Sequence, residues 1–303
     1  MKKYIILGFD METDIGSYLK TYNGVQKGTQ KILHLLKNYG ITGTFFFTGD
    51  AADKNEEKVI EVMKEGFEVA CHSLKHETVG EASFNMPNDS PILEEELENR
   101  LRLNREIVIK LTNKTPVSFR APRLWQGQGQ ITVLERLGFK TDASYSVAAH
   151  KIQLLPYHPS EINWLEKGDM KLLEIPNFAF LDKAHDYSQY FCKNDQWPLL
   201  RLLGADFVFE KSAYVIERQS ELSDVCVLLF YLHPWEFEKM PEKFQYDEGT
   251  FYFKPELYEN CGNFMRREFE NFVQLALNDG FEFTTCELFY DIWERSESEK
   301  QYQ

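Results

Sequence analysis

The chain has 303 residues, 43% hydrophobic and 27% charged, which is ordinary for a soluble globular protein of one large or two small domains. Its formal net charge is −14 at pH 7, and we find no cluster of lysine and arginine with interleaved aromatic residues. Both features disfavour nucleic acid and acidic membrane surfaces as partners.

The cysteines and the apolar segments predict a cytoplasmic protein. The five cysteines are odd in number and never form C-x-x-C, which is typical of reduced thiols rather than of disulfides or a zinc knuckle. The apolar run before Asp10 is too short for the core of a signal peptide, and no later stretch is long enough to span a membrane.

Strand-like apolar runs alternate with helix-like periodic segments along the chain. In chain order we predict strand Tyr4–Phe9, helix Lys27–Tyr39, strand Thr42–Thr48, helix Glu56–Glu65, strand Phe67–Cys71, a helix from Ser90 to about Leu111, strand Val117–Phe119, helix Ile131–Leu137, strand Phe139–Asp142, strand Lys171–Ile175, helices Leu199–Leu203 and Ser212–Ser220, strand Val225–Leu232, a loop over 237–260, helix Asn263–Asn278, strand Phe281–Thr284 and helix Glu287–Arg295. This order predicts a parallel sheet with crossover helices. We expect one domain over 1–303, with a less regular insertion at about 150–225.

Chemically active side chains follow five of the predicted strands. Sites in parallel α/β folds gather at the carboxyl ends of the strands, so these residues are expected at one edge of the sheet. In chain order they are Asp10, Glu12 and Asp14, then His72 and His76, then Arg120, then Asp142, and finally His233.

These residue types suit metal-assisted hydrolysis of an amide. Carboxylates at every second position of an extended chain share one side, and two histidines four residues apart can supply two ligands to one metal. A second carboxylate can act as general base towards water, and a histidine kept protonated by a nearby aspartate can donate to a leaving amine. Each group also has a simpler interpretation as a solvated loop, an incidental histidine pair or a structural histidine.

The ordered set of motifs resembles the polysaccharide deacetylase family, carbohydrate esterase family 4. The segment GFDMETDIGS is similar to its first motif, HSLKH to the second, FRAPRLWQ to the third and GFKTDASYS to the fourth. The segment LLFYLHPWEF is similar to the fifth motif, in the His-Pro-Trp-Glu form of intracellular and exopolysaccharide-linked members.

This resemblance implies a distorted (β/α)7–8 barrel that removes N-acetyl or N-formyl groups from an amino sugar or glycan. It implies a divalent metal, with Zn²⁺ expected first and Co²⁺, Mn²⁺ or Ni²⁺ as alternatives. The implied metal ligands are Glu12, His72 and His76, with Asp14 as a rival to Glu12. The implied catalytic residues are Asp10 as base, Arg120 holding Asp10, His233 as acid, and Asp142 tuning His233 or Arg120. Trp125, Tyr145 and Trp235 are expected to line the sugar site.

Two other functions stay open at this point. One is an allantoinase-like hydrolase of a small cyclic amide, which the two histidines disfavour because such relatives lack the full metal set. The other is a catalytically inactive glycan-binding protein, for which the replacement of the usual aspartate by Glu12 is the only support. The expected partner is a glycan, and a homo-oligomer is possible in either case.

Overall fold

The computed structural model describes residues 1–80, 91–150, 152–180, 196–247 and 249–300. The described strands are β1 Lys2–Met11, β2 Thr44–Phe47, β3 Glu68–Cys71, β4 Ser118–Phe119, β5 Thr141–Asp142, β6 Leu173–Glu174, β7 Val225–Leu232, β8 Lys243–Tyr246, β9 Gly249–Tyr252 and β10 Glu282–Thr284. The described helices are α1 Thr29–Tyr39, α2 Gly49–Lys54, α3 Glu56–Lys64, α4 Glu94–Thr112, α5 Gln128–Arg136, α6 Val147–His150, α7 Leu199–Leu203, α8 Ala205–Ser220, α9 Asn263–Asn278 and α10 Cys286–Lys300.

All strands except β8 and β9 form one curled parallel sheet. Strand β1 pairs with β7 along one side. On its other side, the start of β1 pairs with β10 and the end of β1 pairs with β2. From β2 the sheet continues in the order β3, β4, β5 and β6. Single-residue bridges from Asn177 to Ser146 and to Leu229 then connect the far edge back to β7. The predicted distorted barrel is thereby confirmed.

The alternation of side chains along β1 explains why acidic groups enter the barrel. Ile5, Leu7, Phe9 and Met11 face outward and pack in the same buried cluster as apolar residues of α1, α8 and α9. The residues between them face the opposite side of the strand, where Tyr4 and Ile6 share a buried cluster with side chains of β7 and α10. Asp10 and Glu12 continue this inward-facing series at the carboxyl end of the strand.

Several boundaries match the sequence predictions closely. The strongly apolar β7 and the amphipathic α9 have the bounds that were predicted, and Gly40 ends α1 in the left-handed conformation at φ 62°. The long helix begins at Glu94, later than predicted, and Ser90 lies outside the described residues. The predictions missed the short helices α2 and α6.

The prediction of a loop over 237–260 is wrong. Strands β8 and β9 form a separate antiparallel hairpin in this segment, with Phe244 opposite Phe251. The sequence alternates polar and aromatic residues before a turn and is rich in aromatic residues after it, which is a strand pattern. Within the residues that the structure describes, none of the helices is long and apolar enough to cross a bilayer.

Candidate metal centre and active site

The carboxyl ends of β1, β3 and β4 bring four predicted site residues together. Asp10 lies near the end of β1, and Glu12, His72 and Arg120 directly follow β1, β3 and β4. All four are essentially inaccessible to solvent. His76 lies one turn beyond His72 and is also buried. Parallel strands in adjacent positions end at the same edge, so residues far apart in the sequence become neighbours here.

Glu12, His72 and His76 form a compact set of possible metal ligands. One ligand atom from each lies within 4.8 Å of the others, and His72 Nε2 is 3.5 Å from Glu12 Oε2. His76 Nε2 contacts the same oxygen. His72 Nδ1 donates to the Arg120 carbonyl at 2.7 Å, so the neutral ring presents the lone pair of its Nε2 to the cluster. The Nδ1 atom of His76 lies 2.7 Å from Ser17 Oγ.

The polar atoms of this cluster lack aligned hydrogen-bond partners although they are buried. They are both carboxylate oxygens of Glu12, the Nε2 atoms of His72 and His76, and Asp10 Oδ2. Burial alone raises the pKa of Glu12, but the imidazoles of His76, His72 and His233 outweigh it and hold that pKa well below its usual range. Unpaired buried polar atoms are costly unless a ligand satisfies them. The chemistry of two imidazoles and a carboxylate fits a divalent metal ion.

Asp14, the rival to Glu12, lies outside this cluster. Its carboxylate accepts hydrogen bonds from Thr21 Oγ1 at 2.7 Å, the Gly24 backbone at 2.8 Å, and Asn23 through both its backbone at 2.9 Å and its side chain at 3.2 Å. It therefore fixes the start of the π-helical turn Gly24–Gly28 that precedes α1. The chain leaves the extended conformation after Met11, so Asp14 does not continue the inward series of β1.

Arg120 orients Asp10 from inside the barrel. Its Nη1 donates to Asp10 Oδ1 at 2.8 Å, its Nε to the Ala143 carbonyl at 3.1 Å, and its Nη2 to Asn177 Oδ1 at 3.1 Å. A Cβ atom at residue 8 would lie 2.4 Å from Arg120 Nη2, so Gly8 leaves the space through which the guanidinium reaches Asp10.

His233 is held by a buried ion pair that the sequence analysis did not identify. Its Nδ1 donates to Glu236 Oε1 at 3.1 Å, and Arg201 Nε donates to Glu236 Oε2 at 2.7 Å. Burial opposes ionisation of Glu236, but Arg201 and His233 lower its pKa to about 2. Trp197 Nε1 also donates to Glu236, at 2.9 Å. The Nε2 atom of His233 lies 3.9 Å from Glu12 Oε1, at the edge of the ligand cluster.

A cavity of about 400 Å³ opens over these groups. Trp125 and Trp235, two of the residues proposed for a sugar site, line it, and Trp125 is 43% exposed at its rim. Tyr18, Trp197 and Tyr231 add aromatic walls that the sequence analysis did not name. Glu12, His76 and His233 also line this cavity.

Tyr145 was predicted to line the sugar site, but the structure places it elsewhere. It is buried in the core, where its hydroxyl accepts backbone hydrogen bonds from Ile152 and Gln153. Its ring packs against Tyr157 and Trp164. The residue follows a strand end in the sequence, but its side chain points away from the cavity.

Asp142 was predicted to tune His233 or Arg120, and its contacts differ from that prediction. Its carboxylate accepts hydrogen bonds from Ser144 and Gln126, and it lies opposite Glu174 on the neighbouring strand. Burial and the Asp142 charge raise the pKa of Glu174 well above its usual range. Asp142 and Glu174 therefore form a buried carboxyl pair. Glu236 occupies the position next to His233 that Asp142 was expected to take.

Comparison with known proteins supports the family that the motifs indicated. The sequence profile of the family "Polysaccharide deacetylase" matches residues 1–141, which include Asp10, Glu12, His72, His76 and Arg120. This match covers just under half of the chain, and together with the relatives and structures below it shows similarity to the polysaccharide deacetylase family.

Two curated relatives are peptidoglycan deacetylases. Peptidoglycan-N-acetylmuramic acid deacetylase PdaA of Bacillus subtilis is 29% identical over 126 residues, which are 41% of this chain and 44% of the relative. Peptidoglycan deacetylase of Helicobacter pylori is 26% identical over 211 residues, which are 60% of this chain and 68% of the relative. The chain thus spans less than half of the first relative and about two thirds of the second.

Solved structures share the fold at low sequence identity. A protein from Mycobacterium smegmatis assigned to the polysaccharide deacetylases has a TM-score of 0.63 at 17% identity, over 99% of this chain and 91% of that one. Puue allantoinase has a TM-score of 0.62 at 14% identity, over 97% of this chain and 91% of that one. These two similarities establish the barrel and do not distinguish between the activities.

Proposed function

We propose that this protein is a metal-dependent hydrolase that removes an N-acetyl or N-formyl group from an amino sugar of a glycan. The observation that carries this proposal is the buried set of unpartnered ligand atoms from Glu12, His72 and His76, beside Asp10 and His233 at the base of an aromatic cavity. The named activities of the two bacterial relatives support the glycan as the substrate class.

Glu12, His72 and His76 are the residues that would hold the metal ion. When bound, a divalent metal supplies Lewis acidity, which polarises an acyl oxygen and lowers the pKa of water. Zinc is the metal we propose, because imidazole and carboxylate ligands in a compact set suit it, and Co²⁺, Mn²⁺ and Ni²⁺ are the alternatives. Glu12 rather than Asp14 is the proposed carboxylate ligand, because Asp14 is already saturated by hydrogen bonds.

Asp10 is the proposed general base. Arg120 binds its Oδ1, so the carboxylate is fixed in one orientation and its Oδ2 faces the ligand cluster, 3.3 Å from His72 Nε2. A carboxylate in that position can accept a proton from a water molecule that attacks the acyl carbon.

His233 is the proposed general acid. Glu236 accepts the hydrogen on Nδ1, which fixes the orientation of the ring, while Nε2 is directed to the cavity. The amine of an amide is a poor leaving group, so it requires the proton that Nε2 can donate. Glu236, itself anchored by Arg201, is a positioning residue in this scheme rather than a catalytic one.

An incubation assay distinguishes this proposal from its alternatives. Purified protein loaded with zinc is incubated separately with chitin oligomers, peptidoglycan fragments, nucleotide-linked N-acetylglucosamine and allantoin. We expect acetate or formate to be released from at least one amino sugar and no opening of allantoin. Hydrolysis of allantoin alone would establish the cyclic amide activity, and glycan binding without release from any substrate would establish the inactive glycan-binding protein.

We expect the ion pair between Glu236 and Arg201 to make the free energy of unfolding depend on pH. The variant Glu236→Gln should lose this dependence. The folded pKa of Glu236 is about 2, below its ordinary value of 4.5, so ionised Glu236 stabilises the fold above about pH 4.5. That contribution is lost as the pH falls from 4.5 towards 2. Urea unfolding should show that the variant is less stable than the wild type at pH 7, and that this difference shrinks by about 1 kcal/mol at pH 3.5. A difference that stays equal at both pH values would contradict the assignment.

We also propose a cytoplasmic location and a single domain over 1–303. Free cysteines among the described residues, three of them buried, support a location where thiols stay reduced. Strands β1 to β7 and β10 share one sheet, which supports a single domain.

A further inference from the structure

The hairpin of β8 and β9 has one aromatic face and one polar face. Because side chains alternate along a strand, Phe244 and Tyr246 share a face with Phe251, which lies directly opposite Phe244. The other face carries Lys243, Gln245, Thr250 and Tyr252. Phe244 and Tyr246 are each 43% exposed, and Phe251 is 41% exposed. Such exposure is unusual for large apolar side chains on one small element.

This aromatic face is continuous with the wall of the active-site cavity. The ring of Tyr18, which lines the cavity, lies 6.0 Å from the ring of Phe251 and 5.9 Å from that of Phe253. Phe253 is buried at the base of the hairpin in one cluster with Trp235 and Trp197, which also line the cavity. We call the series Tyr18, Phe251, Phe244 and Tyr246 the aromatic strip.

We infer that the aromatic strip binds the sugar residues that continue from the one in the cavity, so that the substrate is a chain rather than a single amino sugar. This inference rests on the function proposed above. Aromatic rings provide flat apolar surfaces for the C–H faces of pyranose rings, and the two-stranded hairpin offers a narrow strip rather than a broad interface.

The charge around the strip selects the kind of chain. Glu242 and Asp247 are exposed on the same hairpin, where Lys243 and the adjoining Lys254 balance them, and the whole protein has a net charge of −14. Carboxylates accept hydrogen bonds from sugar hydroxyls and repel anionic polymers. The occupant is therefore an uncharged N-acylated glycan, which we distinguish by experiment from a second copy of this chain.

The test compares the zinc-loaded wild type with the double variant Phe244→Ala/Phe251→Ala and with Tyr252→Ala. Tyr252 is the matched control because it lies on the polar face of the same hairpin and is 68% exposed. Acetate release is measured with chitobiose and with chitohexaose, and kcat/KM for the hexamer is divided by kcat/KM for the dimer. We expect the double variant to lower this ratio about 3- to 10-fold, and Tyr252→Ala to leave it unchanged.

Two results would contradict the inference that the aromatic strip binds sugar residues. One is an unchanged ratio in the double variant, and the other is a change of its oligomeric state in sedimentation velocity, which would show that a second copy covers the face. If the wild type releases neither acetate nor formate from any amino sugar of the incubation assay, the proposed hydrolase activity fails instead. The strip is then judged by calorimetric titration with chitohexaose, where loss of binding in the double variant alone supports it and equal binding in all three proteins contradicts it.

Discussion

Replacing Asp10 by asparagine is expected to reduce acetate release about 10³-fold, the range that loss of a general base produces. The amide has the size of the carboxylate and retains an oxygen for Arg120, which donates to Oδ1 at 2.8 Å. Its nitrogen then occupies the position of Oδ2, the atom without an aligned partner that faces the ligand cluster. An amide nitrogen cannot accept the proton of water, so chemistry should fail while the architecture persists.

Two controls make this result specific. The variant should retain the metal content of the wild type, because Asp10 is not among the three proposed ligands. Asp279→Asn removes a half-exposed carboxylate that pairs with Lys3, far from the cavity, and should leave kcat/KM unchanged. Acetate release by Asp10→Asn within a few-fold of the wild type would remove Asp10 as the base.

Arg120→Met should destabilise the protein by about 3–5 kcal/mol, the cost of breaking a buried ion pair by removing one partner. The guanidinium is inaccessible to solvent and bonds Asp10, Asn177 and the Ala143 carbonyl. It also lies 4.4 Å from the centre of the Phe46 ring. Methionine fills part of the volume but leaves the Asp10 carboxylate without its buried cation.

Urea unfolding at pH 7 measures this loss, with Arg102→Met as the matched control. Arg102 lies on α4 and is half exposed, and its salt bridge to Glu106 connects two solvated side chains. Its replacement should change the free energy of unfolding by no more than about 0.5 kcal/mol. Equal midpoints for Arg120→Met and the wild type would show that Arg120 does not anchor the barrel.

The meeting of distant residues at one edge of the sheet could be predicted because it depends on topology. Apolar runs such as β7 identify strands by composition. Because parallel strands end at the same edge of the sheet, the residues that follow these strands lie close together. The structure accordingly places Asp10, Glu12, His72, His76 and Arg120 within one cluster. The alternation along β1 already implied that Asp10 and Glu12 share a side.

The errors arise where contacts depend on the exact path of the chain. Asp142 was assigned to His233 or Arg120, but its neighbour across the sheet is Glu174, which no local pattern connects to it. Tyr145 comes three residues later, where the chain turns its ring into the core. Glu236 was visible three residues after His233, at the spacing of one helical turn, whereas no sequence signal connects Arg201 to it.

The central claim, that Glu12, His72 and His76 hold one catalytic metal ion, is tested most directly by elemental analysis of the purified protein by mass spectrometry. We predict about one divalent ion per chain in the wild type and in the surface variant His34→Ala, and almost none in His72→Ala, which should remain folded. A folded wild type that stays active without any metal, or a His72→Ala protein with the metal content of the wild type, would contradict the claim.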